Sequence, residues 1–251
     1  MKQLPAMLDV WQESFGWLPS ESQQALFARL YGVVVEGNKK QNLTRITEPE
    51  EFWEKHIWDS LLGIMPFLSG SWLPKLESSL PSVLKIIDIG SGAGFPGMPI
   101  AIANGDWQVT MVDSTRKKVT FIQNAIAQLK LNNAKGIVAR AEDLGRDNIH
   151  REQYDLALIR AVGQPAVCAE YILPLVKVGG FGVLYRGYWE KSDTEALATA
   201  VQQLGSKIVL VKSTTTPISQ SVRNCIYLHK HSHVSDRFPR AVGIPNQQPL
   251  S

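Results

Sequence analysis

The stretch Leu84-Lys85-Ile86-Ile87-Asp88-Ile89-Gly90-Ser91-Gly92-Ala93-Gly94-Phe95-Pro96-Gly97 constrains this chain more than any other. Its first half is a short, apolar, β-branched run of the sort that fills a strand buried on both faces of a parallel sheet. Its second half places four glycines in the eight residues from Gly90 to Gly97, then runs into Met98-Pro99-Ile100-Ala101-Ile102-Ala103, which reads as a helix. Strand, glycine turn and helix together make a nucleotide-shaped pocket. Glycine lets the backbone pass close beneath a ligand, and the helix start points unpaired N–H groups at it.

Gly92-Ala93-Gly94-Phe95-Pro96-Gly97 satisfies G-x-G-x-x-G, a dinucleotide pattern that is weak when alone. The register argues for a different ligand. A dinucleotide site has its first glycine at the strand end, with the pyrophosphate on the helix start. Here that glycine is Gly90, and Asp88 stands two residues before it. A carboxylate at the pocket mouth repels a pyrophosphate and suits an ammonium group. S-adenosylmethionine carries an amino-acid tail and a sulfonium but no phosphate, and it is the ligand expected. Gln108-Val109-Thr110-Met111-Val112-Asp113 is a second strand ending in an acid, 23 residues after Gly90. Asp113 suits a ribose diol, a role that NAD and S-adenosylmethionine sites share. The strand-end position in both units favours this over a plain cap for the helix beginning near Thr115.

The 251 residues suffice for one large domain or a domain plus an extension, and the hydrophobic and charged fractions, 44% and 20%, are those of an ordinary globule. Met1-Lys2-Gln3-Leu4-Pro5 lacks the apolar core of a signal peptide and no run is long enough for a membrane span, so a cytoplasmic protein without a membrane partner is expected. Cys168 and Cys225 lie in apolar runs without metal-like spacing and read as buried thiols. His229, His231 and His233 alternate without further ligands, so no metal is expected. The net charge of +3 permits a nucleic-acid partner without demanding one.

Residues 1–82 read as a helical N-terminal extension and linker. Trp11, Phe15, Trp17 and then Leu26, Phe27, Leu30, Tyr31 and Val34 recur at helical spacing, and a third helix is expected from near Pro49 to before Pro66. Ser69–Ser82, rich in Ser and Pro, reads as a surface loop. From 83 to 230 strands (84–89, 108–113, 135–139, 155–160, 181–186) alternate with helices (96–104, 115–131, 166–177, 192–204), the pattern of a parallel sheet covered on both faces. Strands 207–211 and 224–229 follow with no room for a helix between them, so residues 213–222 are expected as a loop and the pair as antiparallel. The fold expected is α/β, the Rossmann-like class I S-adenosylmethionine-dependent methyltransferase, with a mostly parallel seven-stranded sheet. Residues 231–251 read as an irregular basic tail.

These motifs resemble the small-subunit ribosomal RNA methyltransferase G family, also called glucose-inhibited division protein B. Gln41-Asn42-Leu43-Thr44 and Lys55-His56-Ile57-Trp58-Asp59-Ser60 are similar to its N-terminal signature, and Asp88 to Gly97, with its Phe-Pro-Gly ending, to its cofactor loop. Asp113-Ser114-Thr115-Arg116-Lys117-Lys118, Ala139-Arg140-Ala141-Glu142, Ile159-Arg160-Ala161, Phe238-Pro239-Arg240 and Gly243-Ile244-Pro245-Asn246 follow in the family's order. One departure is Arg186, where the family usually has lysine; the charge is kept and the reach is not. The resemblance implies methylation of guanine N7 in the 530 loop of 16S rRNA.

By the same resemblance Asp88, Gly90, Gly92 and Phe95 line S-adenosylmethionine, Asp113, Ser114 and Thr115 meet its ribose, and Ala141 and Glu142 meet its adenine. Arg160, at the fourth strand's end, is expected to overhang the pocket as the catalytic-site residue touching cofactor and acceptor. Guanine N7 carries a lone pair and no proton, so no catalytic His, Cys or Ser is expected, and His56 reads as structural. Arg116 and Lys117 open a helix whose dipole they oppose, which points to a role outside folding. With Arg186, Arg223 and Arg240 they are the expected contacts to 16S rRNA or a small-subunit particle. Rival readings are a small-molecule methyltransferase, whose activity would not need RNA, and a non-catalytic ribosome-assembly factor, which would not bind S-adenosylmethionine.

Overall fold

A computed structural model of the protein describes residues 2–69 and 80–251. Among these, seven strands form one sheet: β1 (Lys85–Ile89), β2 (Gln108–Asp113), β3 (Ala134–Val138), β4 (Tyr154–Arg160), β5 (Val176–Arg186), β6 (Ser206–Thr215) and β7 (Val222–Lys230), in the order β3-β2-β1-β4-β5-β7-β6. Neighbours from β3 through β5 pair in parallel, and β7 runs antiparallel to both β5 and β6. The helices are α1 (Leu8–Phe15), α2 (Glu21–Asn38), α3 (Pro49–Phe52), α4 (Asp59–Leu62), α5 (Met65–Ser69), α6 (Gly97–Ala103), α7 (Arg116–Leu129), α8 (Ala141–Leu144), α9 (Pro165–Ile172), α10 (Lys191–Gln203) and α11 (Ile244–Gln247). None of them is long and apolar enough to cross a membrane.

Alternation along the central strands sends side chains into two cores. Ile86, Leu156, Leu158, Phe181 and Val183 join one with Trp11, Phe27, Trp53, Ile57, Met98 and Ile122, so the N-terminal helices, α6 and α7 cover that face. Ile87, Ile89, Ala157, Ile159 and Leu184 join the other with residues of α8, α9, α10 and the C-terminal segment, including Val234 and Phe238. Both faces being covered explains why the strands read as continuous apolar runs. The mixed sheet with helices on both faces is the architecture expected from the sequence.

Several boundaries differ from the sequence reading. The helix expected from Pro49 to Pro66 is α3 and α4 joined by a π-helical turn, Trp53–Trp58, and it ends at Leu62. The chain restarts in α5 with Pro66 in its first turn, where the missing N–H is harmless. The helix expected over 166–177 stops at Ile172 because Pro174 tightens the next turn into 3₁₀ geometry, and β5 starts at Val176, five residues early. The loop expected over 213–222 shrinks to 216–221, since Thr215 pairs with Val222. Of the surface loop expected over 69–82, residues 70–79 lie outside the described residues.

The turn between α4 and α5 is fitted tightly to β5. A Cβ on Gly63 would stand 2.3 Å from Tyr185 Cζ, while the Tyr185 hydroxyl donates to the Ser60 carbonyl at 2.9 Å. Gly63→Ala is therefore expected to destabilise by about 2 kcal/mol through overpacking. Differential scanning calorimetry should record a midpoint lower by about 6 °C.

Candidate active site

The parallel strands end at one edge, where Ile89 pairs with Val112 and Ile159, and Arg160 with Tyr185. Because β7 is antiparallel, its start reaches the same edge: Asn224 pairs with Arg186. The strand order reverses between β1 and β4, and the crevice that opens at such a reversal is where open α/β sheets bind ligands. The turn after β1, the acid ending β2, the first residues of α8 and the arginine ending β4 all converge there.

Gly90, Gly92 and Gly94 have φ of 75°, 58° and 94°, conformations that demand glycine and turn the chain tightly from β1 to α6. Two carboxylates hold this turn. Asp88 is fully buried, and its Oδ2 accepts the Gly97 N–H at 3.0 Å, while Oδ1 has no partner. Burial pushes its carboxyl up to about 7, against the downward pull of neighbouring donors and Arg160. Asp113 accepts from the Gly92 N–H at 3.1 Å and from the Thr115 N–H at 2.8 Å, with Lys118 Nζ at 3.4 Å. Asp113 thus ties the glycine turn to the α7 start, and with about four lone-pair sites the carboxylate still has acceptor capacity. Ser114 and Thr115 beside it are exposed.

Phe95, almost fully buried, lies under a stack: the His56 ring is parallel to it at 4.4 Å, and Arg160 Cζ sits 5.9 Å from its centroid. His56 Nε2 and Thr44 Oγ1 are 2.8 Å apart. Burial, and then the charges of Arg160 and Lys55, push His56 down to about 3, so the ring is neutral and cannot serve as a proton acceptor near neutral pH. Arg160 Nη1 donates to the Lys55 carbonyl and to Asp59 Oδ2, both at 3.0 Å. Asp59 Oδ1 holds Arg223 Nε at 3.2 Å. One buried carboxylate therefore clasps two arginines brought from β4 and β7. Beside them opens a pocket of about 360 Å³ lined by Ile46, His56, Asp59, Arg160, Tyr185 and Asn224.

The other expected site residues are placed differently. Glu142 is buried and its Oε1 accepts the Gly243 N–H at 3.0 Å, so its side chain anchors the C-terminal segment. Arg186 donates to the Gly163 carbonyl at 2.9 Å and to Cys168 Sγ at 3.0 Å, fixing the turn after β4. Arg240 grips the fully buried Glu170 through Nε and Nη2, the latter at 2.7 Å, and straps the C-terminal segment to α9. Arg116 and Lys117 are exposed on the first turn of α7. Of the expected RNA contacts, Arg223 and Arg186 both line the Arg160 pocket, Arg223 held there by Asp59 and Arg186 by the turn after β4.

Asp59 and Glu54 carried no assigned role in the sequence. The signal was partial: both acids stand among Phe52, Trp53, Ile57, Trp58, Leu61 and Leu62, where a carboxylate has to be paired, but Glu50, Glu51 and Lys55 in the same run make them look like surface charges. Glu54 Oε1 accepts the N–H groups of Ile218 and Ser219 at 2.6 and 2.8 Å, holding loop 216–221 against the π-helical turn. Burial opposes its charge, but the Ser219 hydroxyl and these N–H groups outweigh it and keep the carboxyl below its usual range. Glu54→Ala removes two charge-assisted bonds, so amide hydrogen exchange at Ile218 and Ser219 should quicken at least tenfold, by about 1.5 kcal/mol or more.

The crevice fits S-adenosylmethionine on two observations. Asp88 Oδ1 is a buried oxygen lacking a partner, which an ammonium group satisfies. At Gly92 a Cβ would meet nothing closer than the Gly90 carbonyl at 4.0 Å, so the turn leaves open space above the backbone. Among the described residues no group of His, Cys, Asp and Glu is arranged to hold a metal ion.

Comparison with known proteins returns one consistent family. The family described as rRNA small subunit methyltransferase G matches residues 23–222. A protein of Nostoc sp. (strain PCC 7120) named ribosomal RNA small subunit methyltransferase G is 52% identical over 247 residues, spanning 98% of each chain. One from Gloeobacter violaceus with the same name is 49% identical over 241 residues, 96% of this chain and 91% of its own. Among solved structures the cyclase SpnF has a TM-score of 0.52 over 85% of this chain and 97% of that one, at 12% identity, a likeness of fold.

Proposed function

The chain belongs to the rRNA small subunit methyltransferase G family, and from that membership we propose that it methylates N7 of a guanine in the 530 loop of 16S rRNA, position 527 in the usual numbering. The protein is a methyltransferase and its methyl donor is S-adenosylmethionine. When bound, that donor supplies a methyl group made electrophilic by its sulfonium. The residues proposed to hold it are Asp88 for the ammonium, Gly90, Gly92 and Phe95 for the tail and sulfonium, Asp113 with Ser114 and Thr115 for the ribose, and Ala141 with Glu142 for the adenine edge.

The observation that carries the guanine-N7 reading is the chemistry of the pocket beside Phe95. Arg160 uses only Nη1 on Lys55 and Asp59, which leaves Nε and Nη2 to donate to the acceptor edge of a base. Of the pocket's lining, His56 is held neutral with its charged form favoured only below about 3, and the Asp59 carboxylate is spent on Arg160 and Arg223, so neither is poised to remove a proton. An acceptor with a free lone pair and no proton to lose needs only positioning, and guanine N7 is such an atom. The test is mass mapping of 16S rRNA from a strain lacking the gene and from the same strain complemented. The 7-methylguanine of the 530 loop should disappear and return; an unchanged modification map contradicts the proposal.

A further inference from the structure

We propose that the groove between α2 and α7 is a track for the sugar–phosphate backbone of the substrate RNA next to the target base. The groove has a volume of about 610 Å³ and its walls include Lys40, Gln41, Arg116, Lys117, Asn124 and Gln128. It is shut at its base, where a Cβ on Gly37 would stand 2.5 Å from Phe121 Cε2, and open at its rim. The inference rests on the rRNA reading and deepens it.

Three observations point to a polyanion as the occupant. Lys40, Arg45, Arg116 and Lys117 are all exposed, and none of them has an ion-pair partner among the described residues. Glu36, the acid on the groove wall, is held by Lys39 at 2.7 Å. Positive charge on the first turn of α7 opposes the helix dipole, and neither Arg116 nor Lys117 has an acid paired with it among the described residues. The amides of Gln41, Asn124 and Gln128 add donors and acceptors suited to ribose hydroxyls.

The groove is joined to the pocket beside Phe95 by a fixed piece of chain. Asn38 Oδ1 accepts the N–H groups of Leu43 and Thr44 at 2.8 and 3.0 Å, the Tyr31 hydroxyl donates to the Thr47 carbonyl at 2.9 Å, and Thr44 Oγ1 meets His56 Nε2. Lys40 and Gln41 at one end of this segment line the groove, and Ile46 at the other lines the pocket. Arg45 lies between them. A strand whose base enters the pocket is thus led past exposed cations into the groove, and such backbone contacts set register without reading sequence.

The test uses the full chain with K40Q, R45Q, R116Q and K117Q combined, and a control with K191Q and K207Q. Binding of a fluorescein-labelled RNA carrying the 530 loop is measured against salt concentration, together with methyl transfer to unmethylated small subunits and calorimetric binding of S-adenosylmethionine. The groove variant should bind the RNA at least 30-fold more weakly and raise KM similarly, with kcat and S-adenosylmethionine affinity within twofold. Its log Kd against log salt should lose about 3 units of slope, at about 0.7 per single-strand phosphate contact. RNA affinity and salt slope within twofold of the parent protein, or an equal loss in the control, overturn the proposal, as does a loss confined to kcat. Should the combined variant fail to fold, K40Q and R116Q singly are expected to cost several-fold each, and no change in either overturns it. The binding arm requires no methylation, so failure of the guanine-N7 reading shows separately, as a parent protein that binds the RNA and leaves N7 unmodified.

Discussion

Asp88→Asn is expected to weaken S-adenosylmethionine binding about 100-fold by isothermal titration calorimetry. Asparagine keeps the shape and a carbonyl oxygen for the Gly97 N–H, so the cap on α6 survives and only the charge is lost. A charge-assisted bond to the ligand ammonium is worth about 3 kcal/mol in so buried a place, which is the expected factor. The same carboxyl makes binding pH-dependent. With its pKa raised to about 7, the proton on Asp88 competes with the ammonium, so the Asp88 contribution to parent-protein affinity should fall about tenfold between pH 8 and pH 6. The asparagine variant should lack this dependence. Unfolding separates from lost binding by sign. A carboxyl whose folded pKa is raised supports the ligand-free fold fully below its ordinary range, and that support is lost as pH rises through about 7. The ligand-free variant should therefore melt no lower than the parent at pH 8.

The second large effect is expected at Asp59. Each of its oxygens holds one guanidinium, and Asp59→Ala leaves Arg160 and Arg223 facing each other without a counter-charge. Breaking a buried pair by removing one partner costs about 3–5 kcal/mol. Arg160 and Arg223 are partly exposed, which lowers the expectation to about 2–3 kcal/mol. A calorimetric midpoint lower by about 8 °C checks it. Turnover should fall about 100-fold at 20 °C, where the variant remains folded, because Arg160 loses the contact that orients it beside Phe95. Glu at position 59 should recover part of both losses; full turnover in the alanine variant would remove Asp59 from the account.

The sheet was legible because its signal is local. Short apolar runs, one carrying Asp88 and two ending in Asp113 and Arg160, announce strands, and the lack of helical residues between β6 and β7 announces the antiparallel turn. Boundaries slipped where tertiary pairing overrode local pattern: Lys177 to Gly180 carry little strand character, yet Val176 pairs with Tyr154 and the strand extends back to it. Charge was the harder signal to read. Arg116, Arg186, Arg223 and Arg240 look alike along the chain, yet one is open, one pins a turn, one joins Asp59 and one is locked to Glu170. Their partners are 18 to 164 residues distant, as in the Arg186–Cys168 and Arg223–Asp59 contacts, and no spacing rule reaches that far. Asp59 and Glu54 were missed for the same reason, since an acid's partner is set by strands that arrive much later in the sequence.

The central claim is that a glycine turn flanked by Asp88 and Asp113 is built for a ligand with an ammonium and a sulfonium, and against one with a diphosphate. Calorimetric titration of the ligand-free protein at pH 8 with S-adenosylmethionine and, separately, with NADH tests it directly. One molecule of S-adenosylmethionine should bind per chain, and NADH should neither give heat nor displace it. Binding of NADH in competition with S-adenosylmethionine, or no heat from S-adenosylmethionine at all, would contradict the account.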